Sequence, residues 1–238
     1  MDKIIKFFRT TKEEGLKIAL EKTIGYTKGK FRKNKAWQYQ RHIEDKFNLI
    51  KPILDEQEVN SVLDVGCNAG QITRLAGDND FFAVGVEQSL ENIDLKRVGF
   101  EQALDNACIG NIELDLKKIE KLPLFDAILL LSVHHQLVSN FGENWAKKFV
   151  SKLFRKSNKV LIMEFAALNR KYGYEKQEDL TFKNNDESSI VPFAKNWLLN
   201  TLPNAEVDYV GKAPHHKINV KPQNSSEPYR YIFSAKKK

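Results

Sequence analysis

The sequence predicts an α/β fold built on a seven-stranded, mostly parallel sheet with helices on both faces, and three observations point to it. Short runs such as Ala127-Ile128-Leu129-Leu130-Leu131 and Val160-Leu161-Ile162-Met163 are apolar on both faces, as strands covered by helices on each side must be. Stretches of helical period lie between these runs. The last two strand candidates follow each other with no helix between them, which predicts an antiparallel C-terminal pair closing one edge of the sheet.

In chain order, Ile4, Ile5, Phe7 and Phe8 open a basic arm that Leu16, Ile18, Ala19, Leu20 and Ile24 continue as a helix with Lys on its other face. Gly25 and Gly29, set among basic residues, read as a hinge. A second helix follows from Ala36, because Ile43, Phe47, Ile50 and Leu54 fall on one face; Pro52 predicts its end or a kink. Ser61–Val65 is the first strand and Ile72–Ala76 a short helix opened by a glycine-containing loop. Phe81–Val86 is a strand, Leu90–Phe100 a helix, Ala107–Ile112 a weaker strand and Asp126–Ser132 a strong one. Asn144–Phe154 reads as a helix, Val160–Phe165 as a strand and Ile190–Leu202 as a helix. Val207–Val210 and Tyr229–Ser234 are the closing strands.

Composition narrows the function. The chain has 238 residues and a net charge of +7, but the charge is unevenly placed. Residues 1–41 hold twelve Lys/Arg against four acids, and the rest holds 26 against 27, so the body is nearly neutral. That speaks against a uniformly basic nucleic-acid-binding fold and leaves residues 1–35 as an arm for an anionic surface or nucleic acid. The longest apolar run, Ala127–Leu131, is far too short to span a membrane, and the charged start Met1-Asp2-Lys3 does not resemble a signal peptide. Cys67 and Cys108 cannot build a disulfide framework or a zinc site alone, which points to a reducing, cytoplasmic setting.

The sharpest signal is Val62-Leu63-Asp64-Val65-Gly66-Cys67-Asn68-Ala69-Gly70, a strand running through a glycine turn into a helix. Small residues there let a ligand lie against backbone at the carboxyl end of the first strand. A dinucleotide site would place pyrophosphate on that turn, but Asp64, two residues before Gly66, repels phosphate and attracts a cation. A second acid, Glu87, ends the second strand in Val84-Gly85-Val86-Glu87, where a carboxylate can accept hydrogen bonds from both ribose hydroxyls. A cationic nucleoside fits both features.

These segments, with LPLFDAILLLSVHH at the fourth strand and KVLIMEF at the fifth, resemble the class I S-adenosylmethionine-dependent methyltransferases over about residues 36–235, which makes 36–238 the expected transferase domain. The resemblance implies a Rossmann-like fold with S-adenosyl-L-methionine as cofactor. It implies that Asp64 orients the cofactor's amino group, that Gly66, Cys67, Asn68 and Gly70 lie along it, and that Glu87 holds the ribose beside Gln88 at the adenine. Asn111 and Ile112 fall at the adenine edge, where the family often has an acid; Asp115 is the alternative. The resemblance also implies that Ser132 and Val133 line the floor where the methyl group moves.

His134 and His135 come directly after the fourth strand and are the candidate bases for a hydroxyl acceptor, with His134 placed ahead. His134, His135 and Glu164 form a conceivable metal set, but no metal is expected. His215 and His216, the polar stretch Tyr172–Ser189, and Trp37, Tyr39 and Arg41 are candidates for the substrate rim. The block Trp37-Gln38-Tyr39-Gln40-Arg41 with Leu131–His135 resembles methyltransferases that tailor sugars and glycans, and more faintly those acting on RNA 5′-phosphates. A small-molecule or glycan acceptor, an RNA acceptor and a non-catalytic binding protein are therefore the three readings.

Overall fold

A computed structural model of the chain describes residues 42–89, 106–166, 187–214 and 229–238. The basic arm, Trp37, Tyr39 and Arg41, the expected helix Leu90–Phe100, most of Tyr172–Ser189, and His215 and His216 lie outside the described residues.

Helix α1 (Ile43–Glu56) is followed by β1 (Ser61–Val65), α2 (Gln71–Asp78), β2 (Phe82–Glu87) and β3 (Ala107–Asn111). Then come β4 (Phe125–Leu130), α3 (His134–Phe141), α4 (Glu143–Lys156), β5 (Ser157–Ala166), α5 (Glu187–Thr201), β6 (Ala205–Pro214) and β7 (Tyr229–Lys237). The strands form one sheet in the order β3-β2-β1-β4-β5-β7-β6. The first five are parallel, while β7 runs antiparallel to both β5 and β6. The chain therefore winds outward in one direction from β1 and in the other from β4. A crevice opens between the carboxyl ends of these two strands.

Alternate strand residues feed two cores. Leu63, Val65, Ile128, Leu130, Leu161 and Met163 face α3, α4 and α5. Val62, Ala127, Leu129, Val160 and Ile162 face α1 and α2. Full burial of each such side chain contributes roughly 1.5–3 kcal/mol, so burial on both faces is the main force holding the sheet.

Helix α1 passes Pro52 and ends one turn later, at Glu56. Both Pro52 and Asn48, the residue whose carbonyl loses its helical partner, are exposed, so water can satisfy that oxygen. The closing pair is antiparallel and closes one edge of the sheet as expected, with β7 lying between β5 and β6. Helix α3 was hidden in the sequence, because His134-His135-Gln136 interrupts any apolar period. No helix among the described residues is long and apolar enough to cross a membrane.

Candidate active site

The crevice has two halves. The first is built by the β1–α2 turn. Gly66, Asn68 and Gly70 adopt φ values of +72°, +52° and +73°, a left-handed sequence that brings backbone amides round toward β2. The Gly66 and Cys67 amides donate to the Val86 carbonyl at 2.8 and 3.1 Å. A Cβ on Gly66 would come within 2.5 Å of the Val133 methyl group, so the turn and the β4 end approach too closely for any side chain. Glu87 ends β2 and fastens the turn: its carboxylate accepts from the Asn68 amide at 3.1 Å and from the Ser89 amide at 3.2 Å. Asn111, at the end of β3, donates its amide nitrogen to the Glu87 and Gln88 carbonyls at 3.0 and 3.2 Å. Gln88 is exposed beside them and Ile112 is half-buried. Asp115 instead caps a turn, accepting from the Lys117 and Lys118 amides at 2.7 Å.

Asp64 lies at the bottom of this half, 3% exposed. The Thr73 hydroxyl donates to it at 2.8 Å. Burial, only partly offset by that hydroxyl, pushes its carboxyl up from 3.8 to about 6, and nearby Glu87 adds to the rise. A buried carboxylate under this strain gains from a cationic partner, so the residues fit the ammonium end of S-adenosylmethionine. Cys67 is buried beside it, and burial together with the two acids raises its thiol pKa, so the thiol stays protonated.

The second half gathers residues from four separate elements. Ser132, just past β4, holds φ +58°, a conformation that costs a non-glycine residue about 1–3 kcal/mol. Its hydroxyl donates to Glu164 of β5 at 2.6 Å. Glu164 is completely buried, and its other oxygen meets the Lys46 ammonium at 2.6 Å. Arg230, 1% exposed, places its Nε 3.8 Å from the first oxygen. Burial alone would raise the Glu164 pKa, but Lys46, Arg230 and the Ser132 hydroxyl outweigh it and hold the carboxylate ionised. The topology explains the meeting. Helix α1 runs back toward the start of β1, so its first turn, with Lys46, stands at the strand carboxyl ends. Antiparallel β7 opposes Arg230 to Ala166 and so starts at the same edge.

The histidines part company. His134 is wholly buried, its ring 4.4 Å from both Phe165 and Trp197. Burial drives its pKa from 6.5 to about 3, with His135 a lesser cause, so it stays neutral. The histidine placed ahead in the sequence is thus the buried one of the pair. His135 is half-buried, and its Nδ1 lies 3.3 Å from an Arg230 terminal nitrogen. Among the described residues, no group of three His, Cys, Asp or Glu could hold a metal ion.

Sequence reasoning missed Thr73 and the roles of Lys46, Glu164 and Arg230. Each of the last three interrupts an otherwise apolar face or strand, and a buried charge there requires a partner. That was the available signal.

No protein-family model matches the sequence, and no curated protein matches it. Solved structures do. WbdD, a bifunctional kinase-methyltransferase, is 21% identical with a TM-score of 0.59, over 82% of this chain and 40% of that one. The chain thus spans about two fifths of WbdD. Magnesium protoporphyrin IX methyltransferase (ChlM) from Synechocystis PCC 6803, with bound S-adenosylhomocysteine, is 14% identical with a TM-score of 0.55, over 98% and 99% of the two chains. The methyltransferase domain of bacterial CtHen1-CN is 14% identical with a TM-score of 0.52, over 81% and 98%. This chain has the Rossmann-like fold that these methyltransferase structures share.

Proposed function

We propose that the protein is an S-adenosylmethionine-dependent methyltransferase acting on an oxygen of a glycan or other small acceptor. The observation that carries this reading is the buried Asp64 carboxylate, raised to about 6, at the foot of a turn whose glycine has no room for a side chain. Asp64 holds the ammonium group, Gly66, Cys67, Asn68 and Gly70 supply the bare backbone beside it, and Glu87 takes the ribose hydroxyls. Gln88, Asn111 and Ile112 flank the adenine. When bound, the cofactor supplies an electrophilic methyl group on a sulfonium. The chain's own task is then to hold an acceptor oxygen in line with that carbon and exclude water. Ser132, held in a left-handed conformation by Glu164, forms the floor of that position.

The nearly neutral charge outside residues 1–41 favours a small or glycan acceptor over RNA. Residues 1–35 serve as a basic arm for an anionic surface, and residues 36–238 as the transferase domain. Cys67 and Cys108, the latter raised to about 11 by burial, suit a reducing cytoplasm. Incubation with methyl-labelled cofactor and panels of glycans, metabolites and RNA tests the reading. Label should pass to a non-RNA acceptor, and Asp64→Ala and Glu87→Ala should each abolish most of the transfer. Transfer undiminished in both variants would place the cofactor elsewhere.

A further inference from the structure

We infer that Thr73 and Gly85 together keep Asp64 charged for the cofactor: Gly85, by having no side chain, leaves the space from which the Thr73 hydroxyl reaches the carboxylate. Resting on the methyltransferase reading above, this role serves the cofactor's ammonium group, which Asp64 meets as an anion. Three elements converge to make it. Asp64 of β1 pairs with Gly85 of β2 in the parallel ladder, so the two positions share one face of the sheet. Helix α2 packs on that face through Ile72 and Ala76 and delivers Thr73, which is wholly buried. A Cβ on Gly85 would stand 2.6 Å from the Thr73 hydroxyl oxygen and 2.8 Å from the Cys67 sulfur. Groups from α2 and the turn thus fill the place of the side chain that β2 omits. From there the hydroxyl donates to the Asp64 carboxylate at 2.8 Å.

Burial opposes charge on Asp64, and the Thr73 hydroxyl is the strongest of the groups that favour it. Glu87 from β2 pushes against the charge, and Lys46 from α1 supports it more weakly than the hydroxyl does. The Cys67 thiol beside them stays protonated. Glu87, Lys46 and Cys67 are common to the parent protein and to each variant below, so the comparison isolates the hydroxyl. With its carboxyl at about 6, Asp64 is ionised at neutral pH. Loss of one hydrogen bond to the charged form would raise that value by about 1–2 pH units and bring the carboxyl into the neutral range. Thr73 acts through Asp64 and is a positioning residue; Gly85 seats it.

The test is carbon NMR of the full chain labelled at the aspartate carboxyl, with the Asp64 signal assigned from its loss in Asp64→Asn. The parent carboxyl should titrate with a midpoint of about 6, and the Thr73 methyl signal should move with the same midpoint. Thr73→Val keeps the shape and loses the donor, so it should raise the midpoint by about 1–2 pH units. Thr73→Ser keeps the donor and should stay near the parent value. Gly85→Ala alters neither partner, yet it should also raise the midpoint, because Thr73 must turn away from the added methyl group. An unchanged midpoint in Thr73→Val, or an equal rise in Thr73→Ser, overturns the role of the hydroxyl. An unchanged midpoint in Gly85→Ala overturns the role of the glycine. Where Thr73→Val does not fold, the parent decides: a Thr73 methyl signal that stays still through the Asp64 midpoint overturns the inference.

S-adenosylhomocysteine, which carries the same ammonium group, is then titrated into parent and Thr73→Val at pH 6.5 and pH 8.5. The variant should bind about 3–20-fold more weakly at pH 6.5 and almost as well at pH 8.5, where Asp64 is mostly ionised in both proteins. An equal loss at both pH values would be that of packing alone and overturns the inference. Failure of the parent protein to bind at either pH contradicts the methyltransferase reading instead, because the carboxyl titration needs no cofactor.

Discussion

The two halves of the crevice solve the problem of burying charge in opposite ways. At the β1–β2 ends, Asp64 is buried with one hydroxyl donor and its pKa is raised to about 6. At the β4–β5–β7 ends, Glu164 is buried just as deeply, yet two cations and a hydroxyl lower its pKa below the ordinary value. The first carboxylate leaves room for a ligand cation, whereas the second is consumed by the protein's own groups. A raised pKa therefore singles out a carboxylate short of partners, and a lowered one a carboxylate saturated by them.

Removing Glu164 should have the largest effect. Glu164→Ala leaves Lys46 and Arg230 buried without their carboxylate, at a cost of about 3–5 kcal/mol. Urea unfolding reads that loss directly. A change near zero would mean that water reaches the cluster and that the two halves differ less than their geometry states. Gly66→Ala attacks the other half. With φ +72° and the Val133 methyl at 2.5 Å, it should cost about 1–3 kcal/mol and weaken cofactor binding while leaving the Glu164 cluster in place.

Acid titration separates the halves by sign. His134 has its folded pKa lowered from 6.5 to about 3, so the stability it contributes is present above 6.5 and lost as pH falls toward 3. Asp64 has its folded pKa raised from 3.8 to about 6, so its contribution is greatest below 3.8 and is lost as pH rises through 6. Between pH 6 and 4 the two slopes oppose each other, each by at most about 1.4 kcal/mol per pH unit. Relative to the parent protein, His134→Leu should gain stability on acidification in this window and Asp64→Asn should lose it. Unfolding curves at pH 7, 6 and 5 check both, and equal slopes for the three proteins would show that neither group titrates as its burial requires.

The smallest effect on the fold belongs to the arm. Deleting residues 1–35 should leave cofactor affinity unchanged, since every element of the crevice begins later in the chain. Affinity for a polyanionic acceptor or surface should fall, and its steep salt dependence should flatten. Equal salt slopes with and without the arm would remove its electrostatic role.

The difference between the halves also explains what the sequence made legible. Asp64, Gly66, Asn68, Gly70 and Glu87 lie within 24 consecutive residues, and local turn chemistry dictates their spacing, so pattern alone marks them as a candidate site. Strand Ser61–Val65 matched to the residue for the same reason. Lys46, Ser132, Glu164 and Arg230 span most of the chain and meet only because β7 enters the sheet antiparallel between β5 and β6. No local period encodes that insertion. The burial of His134 was not legible in the sequence, because it depends on Phe165 and Trp197 from distant elements.

Calorimetric titration of the intact protein with S-adenosylmethionine at pH 7.5 and pH 5, repeated for Asp64→Asn, tests the central claim most directly. One site should bind at pH 7.5 and weaken at pH 5, where Asp64 with its pKa near 6 is largely protonated and no longer opposes the ammonium with a charge. Asp64→Asn should bind more weakly than the parent at pH 7.5 by roughly 1.5–3 kcal/mol, the scale of a hydrogen bond to a charged group, and should lose most of the pH dependence. No binding by the parent protein, or equal affinity for parent and variant at both pH values, would contradict the assignment of this crevice to the cofactor.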